Sequence, residues 1–296
     1  MKVILWQDSY GKSRVRLAKV HREGKTHEVV ELSVDIELSG DFSAAYTDGD
    51  NHLVIPTDTM KNTVYALARQ HDVRALEPFS GLLARHFLGN FSHVDLARVQ
   101  IVEHAWRRLE IDGYPCSQSF LGSTSEQFTC SATAVRGADE EIECNMLTGI
   151  QGLSLMKTAE SGFAGFLHDQ YTTLADTDDR ILATTVAAEW SYESPPTDFR
   201  AARERVRVTL IEAFAAKYSP SVQATLNDMA TAVFSLSAEA NVDSIRLEMP
   251  NQHRLLVNLA PFGLDNPNEI FVPTDEPFGK ICAEFIREPL TEESKP

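Results

Sequence analysis

A chain of 296 residues, 43% apolar and 24% charged, has the composition of an ordinary soluble globular protein and room for one large domain or two of average size. Its net charge of −16 excludes nucleic acid and anionic membrane surfaces as expected partners, since both reward clustered Lys and Arg. The same charge requires any site for a small anion to be locally positive, and no stretch approaches the ~20 apolar residues of a membrane span.

In chain order, period-two patterning dominates. Arg14 to Val20 is expected to pair, across Arg22-Glu23-Gly24-Lys25, with a half-buried strand from Val30 to Leu38 whose even positions are all aliphatic. Helical spacing follows over Thr59 to His71 and Pro78 to Asn90, carrying Val64, Leu67, Phe79, Leu82, Leu83 and Phe87. Strands return at Phe128 to Ala134 and at Ile142 to Met146. A second series has a strand phase at Leu182, Val186, Ala188, Trp190 and Tyr192. It continues with helical stripes Phe199 to Phe214 and Val222 to Ala240, then a strand through Ile245, Leu247 and Met249. Ser219-Pro220 reads as the cap and first turn of the second stripe. The order strand, strand, helix, helix, strand, strand therefore occurs twice, with a join near Thr148 to Gly152. It predicts an α+β protein of two tandem domains, 1–148 and 149–296, each an antiparallel sheet with two helices on one face.

Cys116, Cys130, Cys144 and Cys282 form no C-x-x-C and no pairing with nearby His, so buried thiols in a reducing compartment are expected and no metal site is. The N-terminus is too briefly apolar for a signal peptide, and the chain ends Ser294-Lys295-Pro296 instead of Ser-Lys-Leu. A cytoplasmic location is the expectation.

Five segments carry candidate chemistry. Pro56-Thr57-Asp58 precedes a predicted helix, so Thr57 or Asp58 reads as its cap; the same helix N-terminus is equally an anion site. Lys12, in Tyr10-Gly11-Lys12, reads as surface cation or, if desolvated, as a base. Phe163 and Arg180 bracket an 18-residue segment, Phe163-Ala164-Gly165-Phe166 through Tyr171-Thr172-Thr173-Leu174, that offers a flat aromatic face and a rigid planar cation. Pro250-Asn251-Gln252-His253 follows a strand, with His253 a proton carrier near neutral pH and Asn251 both donor and acceptor. Val222 and Gln223 stand in a first helical turn, where an amide is ordinarily solvated.

These segments, with Leu153-x-Leu155-x-Lys157, together resemble the urate oxidase (uricase) family over roughly residues 10 to 260. The resemblance implies tunnelling-fold units, two per chain, assembling into a barrel-like homotetramer with sites at subunit interfaces. It implies cofactor-free, metal-free oxidation of urate by O2 and water to 5-hydroxyisourate and hydrogen peroxide. By resemblance Lys12, Thr57 and His253 form a proton relay. Thr57, Asp58, Phe163, Arg180, Val222, Gln223 and Asn251 bind urate, and Thr57 and Asn251 hold oxygen or water. Met156, Ala159 and Arg254 depart from the family pattern. Two other classes stand beside this one: a zinc-dependent tunnelling-fold pterin or purine hydrolase, which needs a Cys/His ligand set, and a non-catalytic purine-binding protein.

Overall fold

The computed structural model describes residues 3–122, 125–236 and 240–287, so the Ser294-Lys295-Pro296 ending lies outside the described residues. The chain divides into two compact units, Met1–Gly149 and Ile150–Pro296.

In the first unit, strands β1 (Tyr10–Glu23) and β2 (Thr26–Gly40) form a hairpin in which Glu23 pairs with Thr26 and Gly24 takes φ 72°, a left-handed turn position suited to glycine. A short helix α1 (Ser43–Thr47) leads to α2 (Thr57–Gln70) and α3 (Leu76–Asn90). Strand β3 (Val94–His104) follows, then a separate two-stranded sheet of β4 (Trp106–Ile111) and β5 (Tyr114–Gly122), then β6 (Gln127–Arg136). Strand β7 (Ile142–Lys157) contributes its first half to this unit and its second half to the next. The strand order is β1-β2-β3-β6-β7, and the pairings β1–β2, β2–β3 and β3–β6 are antiparallel.

The alternation in β2 explains the layer. Val30, Leu32, Val34, Ile36 and Leu38 are buried beneath the helices, joined by Val64 of α2 and by Phe79, Leu83 and Phe87 of α3. Glu31, Ser33, Asp35 and Glu37 occupy the opposite, polar face of the same strand. Truncating one of the buried aliphatics costs about 2–5 kcal/mol.

In the second unit, β8 (Leu182–Tyr192) is followed by α4 (Phe199–Ala216), α5 (Val222–Phe234), β9 (Val242–Leu256) and β10 (Phe271–Ile286). The strand order is β7-β8-β9-β10, with β9 antiparallel to both neighbours. Trp190, Leu210, Met229, Ile245 and Leu247 are fully buried in its core.

The α+β class and the doubled ββααββ order are those expected, with differences of detail. Strand β3, the β4–β5 hairpin and β10 are absent from the sequence reading. The alternation Val94, Ala97, Val99, Ile101 and the Asp112-Gly113 turn were available signals for the first two. Ile142 to Met146 is the start of a 16-residue strand and not a short closing one. All four cysteines are free; Cys130 is buried, Cys144 is half-buried, and Cys282 is exposed. No helix among the described residues is long and apolar enough to cross a membrane.

Gly11 ties fold to site. A Cβ there would stand 1.8 Å from the Ile36 carbonyl oxygen and 2.9 Å from the Glu37 Cα, both backbone atoms of β2. Gly11→Ala must therefore unzip the β1 start, which includes Lys12. It is expected to cost roughly 2 kcal/mol or more, in the range of the larger single-site effects. Urea unfolding followed by circular dichroism checks this; a midpoint equal to the parent protein's contradicts it.

Candidate active site

In the first unit the site begins with Tyr10. Its hydroxyl accepts from the Ile55 backbone N–H at 2.8 Å and donates to the Ile55 carbonyl at 3.2 Å, and its ring meets Phe42 edge-on at 4.7 Å. That double bond fixes the β1 start against the residues that enter α2, so Lys12 and Thr57 are presented by elements pinned to each other. Burial raises the Tyr10 pKa, which the hydrogen bond to Ile55 partly opposes.

The expected cap at Thr57 or Asp58 is corrected by the structure. Pro56 occupies the cap position, no side chain caps the helix, and Thr57 is the first helical residue. The hydroxyl of Thr57 is thus not consumed in capping, and the first-turn N–H groups have no side-chain cap as acceptor. The Asp58 carboxylate accepts from Lys61 and from Asn62 Nδ2, the latter at 3.0 Å. The Lys61 hydrogen bond holds its pKa below the ordinary range, with the Lys12 ammonium adding a smaller pull in the same direction. The structure thereby brings Lys12, Thr57 and Asp58 together around one helix start.

The other six lie in the second unit. Phe163 sits in the loop between β7 and β8, where its N–H donates to the Thr177 carbonyl at 2.7 Å and its carbonyl accepts from Thr177 N–H at 3.0 Å. The Arg180 guanidinium carbon lies 5.5 Å from the Phe163 ring centroid, and the Arg180 N–H donates to the Ser161 carbonyl at 2.8 Å. Burial pulls the Arg180 pKa down and the Tyr218 hydroxyl nearby pushes it up; a guanidinium stays charged under both influences. Its Nε is buried and has no hydrogen-bond partner among the described residues.

Val222 and Gln223 reach the same place through backbone pairing. Gly162 N–H donates to the Ser219 carbonyl at 2.9 Å, and Ser219 N–H donates to the Glu160 carbonyl at 2.9 Å, a parallel bridge that sets the entrance of α5 beside Phe163. The cap is Ser221, whose hydroxyl accepts from Ala224 N–H at 3.1 Å, and not Ser219; Pro220 precedes the cap instead of opening the helix. Val222 and Gln223 are therefore the first two helical residues, with Val222 buried and Gln223 exposed.

Asn251 and His253 lie on β9, flanking Gln252, which pairs with Ala183 at the start of β8, three residues after Arg180. Alternation puts Asn251 and His253 on one face, while the Gln252 side chain turns to the other and donates to Thr185 Oγ1 at 3.2 Å. Arg254 donates to the carbonyl of His253 at 3.0 Å, so this departure makes a local contact within β9. Met156 is exposed, and Ala159 is exposed beside it.

Lys157 is the residue whose role sequence reasoning missed. It appeared only as part of a spacing. Its ammonium donates to the Lys217 carbonyl and to Ser219 Oγ, the latter at 3.1 Å, and lies 5.4 Å from the Phe214 ring centroid. Burial lowers its pKa. It holds the segment that delivers Val222.

A family model for uricase matches residues 8–133 and 146–282. The chain belongs to the uricase family. The uricase of Arthrobacter globiformis is 42% identical over 287 residues, covering 97% of this chain and 91% of that protein. The uricase of Danio rerio is 36% identical over 285 residues, covering 95% and 94%. The crystal structure of the Arthrobacter globiformis uricase aligns with a TM-score of 0.88 at 42% identity, covering 97% of this chain and 96% of that one. The urate oxidase of Bacillus sp. TB-90, at 20% identity and a TM-score of 0.83, shares the fold.

Within this uricase-family chain, Gly162 permits the approach of three segments. A Cβ there would lie 2.1 Å from the Tyr218 hydroxyl and 2.8 Å from the Thr177 carbonyl oxygen. Gly162→Ala is expected to lower the thermal midpoint sharply, and adding Tyr218→Phe, which deletes one of the clashing atoms, should recover part of the loss. Strict additivity of the two changes in differential scanning calorimetry would refute this packing argument.

Proposed function

We propose that the protein is a urate oxidase, converting urate, O2 and water to 5-hydroxyisourate and hydrogen peroxide. The observation that carries the reading is a desolvated guanidinium, Arg180, beside the Phe163 ring with a buried Nε that no described residue engages. Such a fork suits the adjacent acceptor atoms of a flat purine anion, which a chain of charge −16 would otherwise repel. Family membership supplies the substrate class.

In this reading urate stacks on Phe163, held at one edge by Arg180 and at the other by the Gln223 amide and the Val222 N–H. An amide offers one donor and one acceptor, the pattern that edge of a purine presents. Thr57 and Asp58 bind through the start of α2, where the positive helix end favours the anion. Lys12, Thr57 and His253 relay a proton from the substrate. The electron-rich purine then passes two electrons to O2 beside Asn251, water adds to the oxidised ring at the carbon that becomes hydroxylated, and hydrogen peroxide leaves. Arg180 and Gln223 stabilise charge in place, and positioning within a closed pocket does the rest.

Lys12, Thr57 and Asp58 belong to the first unit and the remaining residues to the second. The proposal is that complete sites form at interfaces of a homotetramer, each combining the two sets from different copies. The long edge strand β1, whose sole neighbour among the described strands is β2, supports this, because open edges of that length require a partner. A cytoplasmic location belongs to the same reading, in keeping with four free thiols.

Loss of urate absorbance with matching peroxide in aerated buffer containing a chelator tests the activity. Lys12→Met should lower kcat by about a hundredfold or more with little change in urate affinity; comparable turnover sinks the relay. Sharing of sites has its own test. Lys12→Met and Arg180→Met chains, each inactive alone, should regain about a quarter of parental activity when co-assembled, since half the pairings hold one intact site of two. No recovery on co-assembly means one copy supplies all the residues.

A further inference from the structure

The loop between β7 and β8 carries an aromatic ladder behind Phe163. The Phe166 ring stacks on Phe163 with centroids 4.8 Å apart and planes 9° from parallel, and the His168 ring stacks on Phe166 at 4.7 Å and 18°. Three rings in one near-parallel column are unusual in a loop, where edge-on pairs are as favourable and fewer constraints apply. Two devices build the column. Gly165 adopts φ 71°, a left-handed turn that brings Phe166 back over Phe163. Asp176, on the returning arm, accepts from Gly165 N–H through Oδ2 at 3.2 Å and faces His168 Nε2 through Oδ1 at 3.7 Å. The next residue, Thr177, makes the two backbone bonds to Phe163.

We infer that Phe166, His168 and Asp176 are positioning residues for the purine platform: they fix the plane of Phe163 from behind and leave its opposite face for the ring of the substrate. The inference rests on the urate oxidase reading. Backbone bonds to Thr177 hold the Phe163 main chain, yet they leave its ring free to rotate about the two side-chain torsions. A second ring lying flat against it removes that freedom, because any large rotation collides with Phe166. His168 does the same for Phe166. The His168 and Asp176 side chains are 57% and 52% exposed, so their contact orients the imidazole and is weak as an ion pair. The stronger duty of Asp176 is the Gly165 N–H, which sets the turn.

Planarity distinguishes this role from plain packing. Phe166→Leu keeps much of the volume and loses the flat face, whereas Phe166→Tyr keeps the ring. His168→Phe keeps the outer rung, and His168→Leu removes it. The measurements are KM and kcat for urate, the inhibition constant of xanthine, a purine tested as a non-reacting competitor, and the thermal midpoint. Phe166→Leu should raise KM and the xanthine constant together by about tenfold, with kcat changed less than about twofold and the midpoint within a few degrees of the parent. His168→Leu should move both constants in the same direction by a smaller factor, and Phe166→Tyr and His168→Phe should restore parental values.

If the parent protein oxidises urate and Phe166→Leu leaves both constants unchanged, the ladder is packing alone and the inference fails while the function stands. Equal losses in Phe166→Leu and Phe166→Tyr overturn it as well. If the parent binds xanthine without oxidising urate, and Phe166→Leu weakens that binding tenfold, the ladder stands and the catalytic reading falls. A parent that neither oxidises urate nor binds xanthine overturns both.

Discussion

The pairing of Ser161-Gly162 with Ser219 is the constraint on which the second half of the site depends. Two N–H to carbonyl bonds of 2.9 Å, between segments nearly 60 residues apart in sequence, place the start of α5 beside Phe163. Its support is layered. Lys157 anchors the Lys217 carbonyl and the Ser219 hydroxyl, Tyr218 donates to the Asp178 carbonyl at 3.2 Å, and Gly162 leaves room for both. Backbone bonds suit this duty because they are indifferent to side-chain rotamers and leave the Phe163 and Arg180 side chains free of it. The first unit uses a single side chain for the corresponding task, the Tyr10 hydroxyl bound twice to Ile55.

Electrostatics of the site run against those of the chain. The sequence carries 43 acidic residues against 27 Lys and Arg, yet the candidate groups are a lysine and the start of α2 in the first unit, and a buried-Nε arginine and the start of α5 in the second. Neither helix end is neutralised by a charged cap: Pro56 precedes α2 and Ser221 caps α5. Where a helix serves only structure, an aspartate is a common choice, as Asp198 at α4 shows with bonds of 2.9 and 3.1 Å to Arg200 and Ala201 N–H. The first turn of α5 holds no acidic side chain and keeps its positive potential for an anionic ligand, whereas the first turn of α2 carries Asp58, whose carboxylate is engaged by Lys61 and Asn62.

Much of the layout was legible because it is written in local periodicity. The five aliphatics of β2 and the stripes of α3, α4 and α5 have single interpretations, since a period of two or of 3.6 buries one face only. The miss at β3 was avoidable, as Val94, Ala97, Val99 and Ile101 all turn inward. The caps of α2 and α5 fall one or two residues from the expected positions because a cap is defined by backbone dihedrals, which residue type alone does not specify. A proline with extended backbone can occupy the cap of α2 while leaving Thr57 inside the helix, and the sequence holds no sign of that choice.

The residue types at each candidate position, and hence the family, follow from sequence, because the identity of Phe163, Arg180, Gln223, Asn251 and His253 fixes which bonds they are able to make. Tertiary structure decided which segments of the chain meet. Ser161 finds Ser219, Ala183 finds Gln252, and Asp176 reaches back to Gly165 and His168 through loop closures whose registers depend on packing over long separations. A linear pattern specifies which face each side chain takes; only the folded chain specifies the distance between two faces.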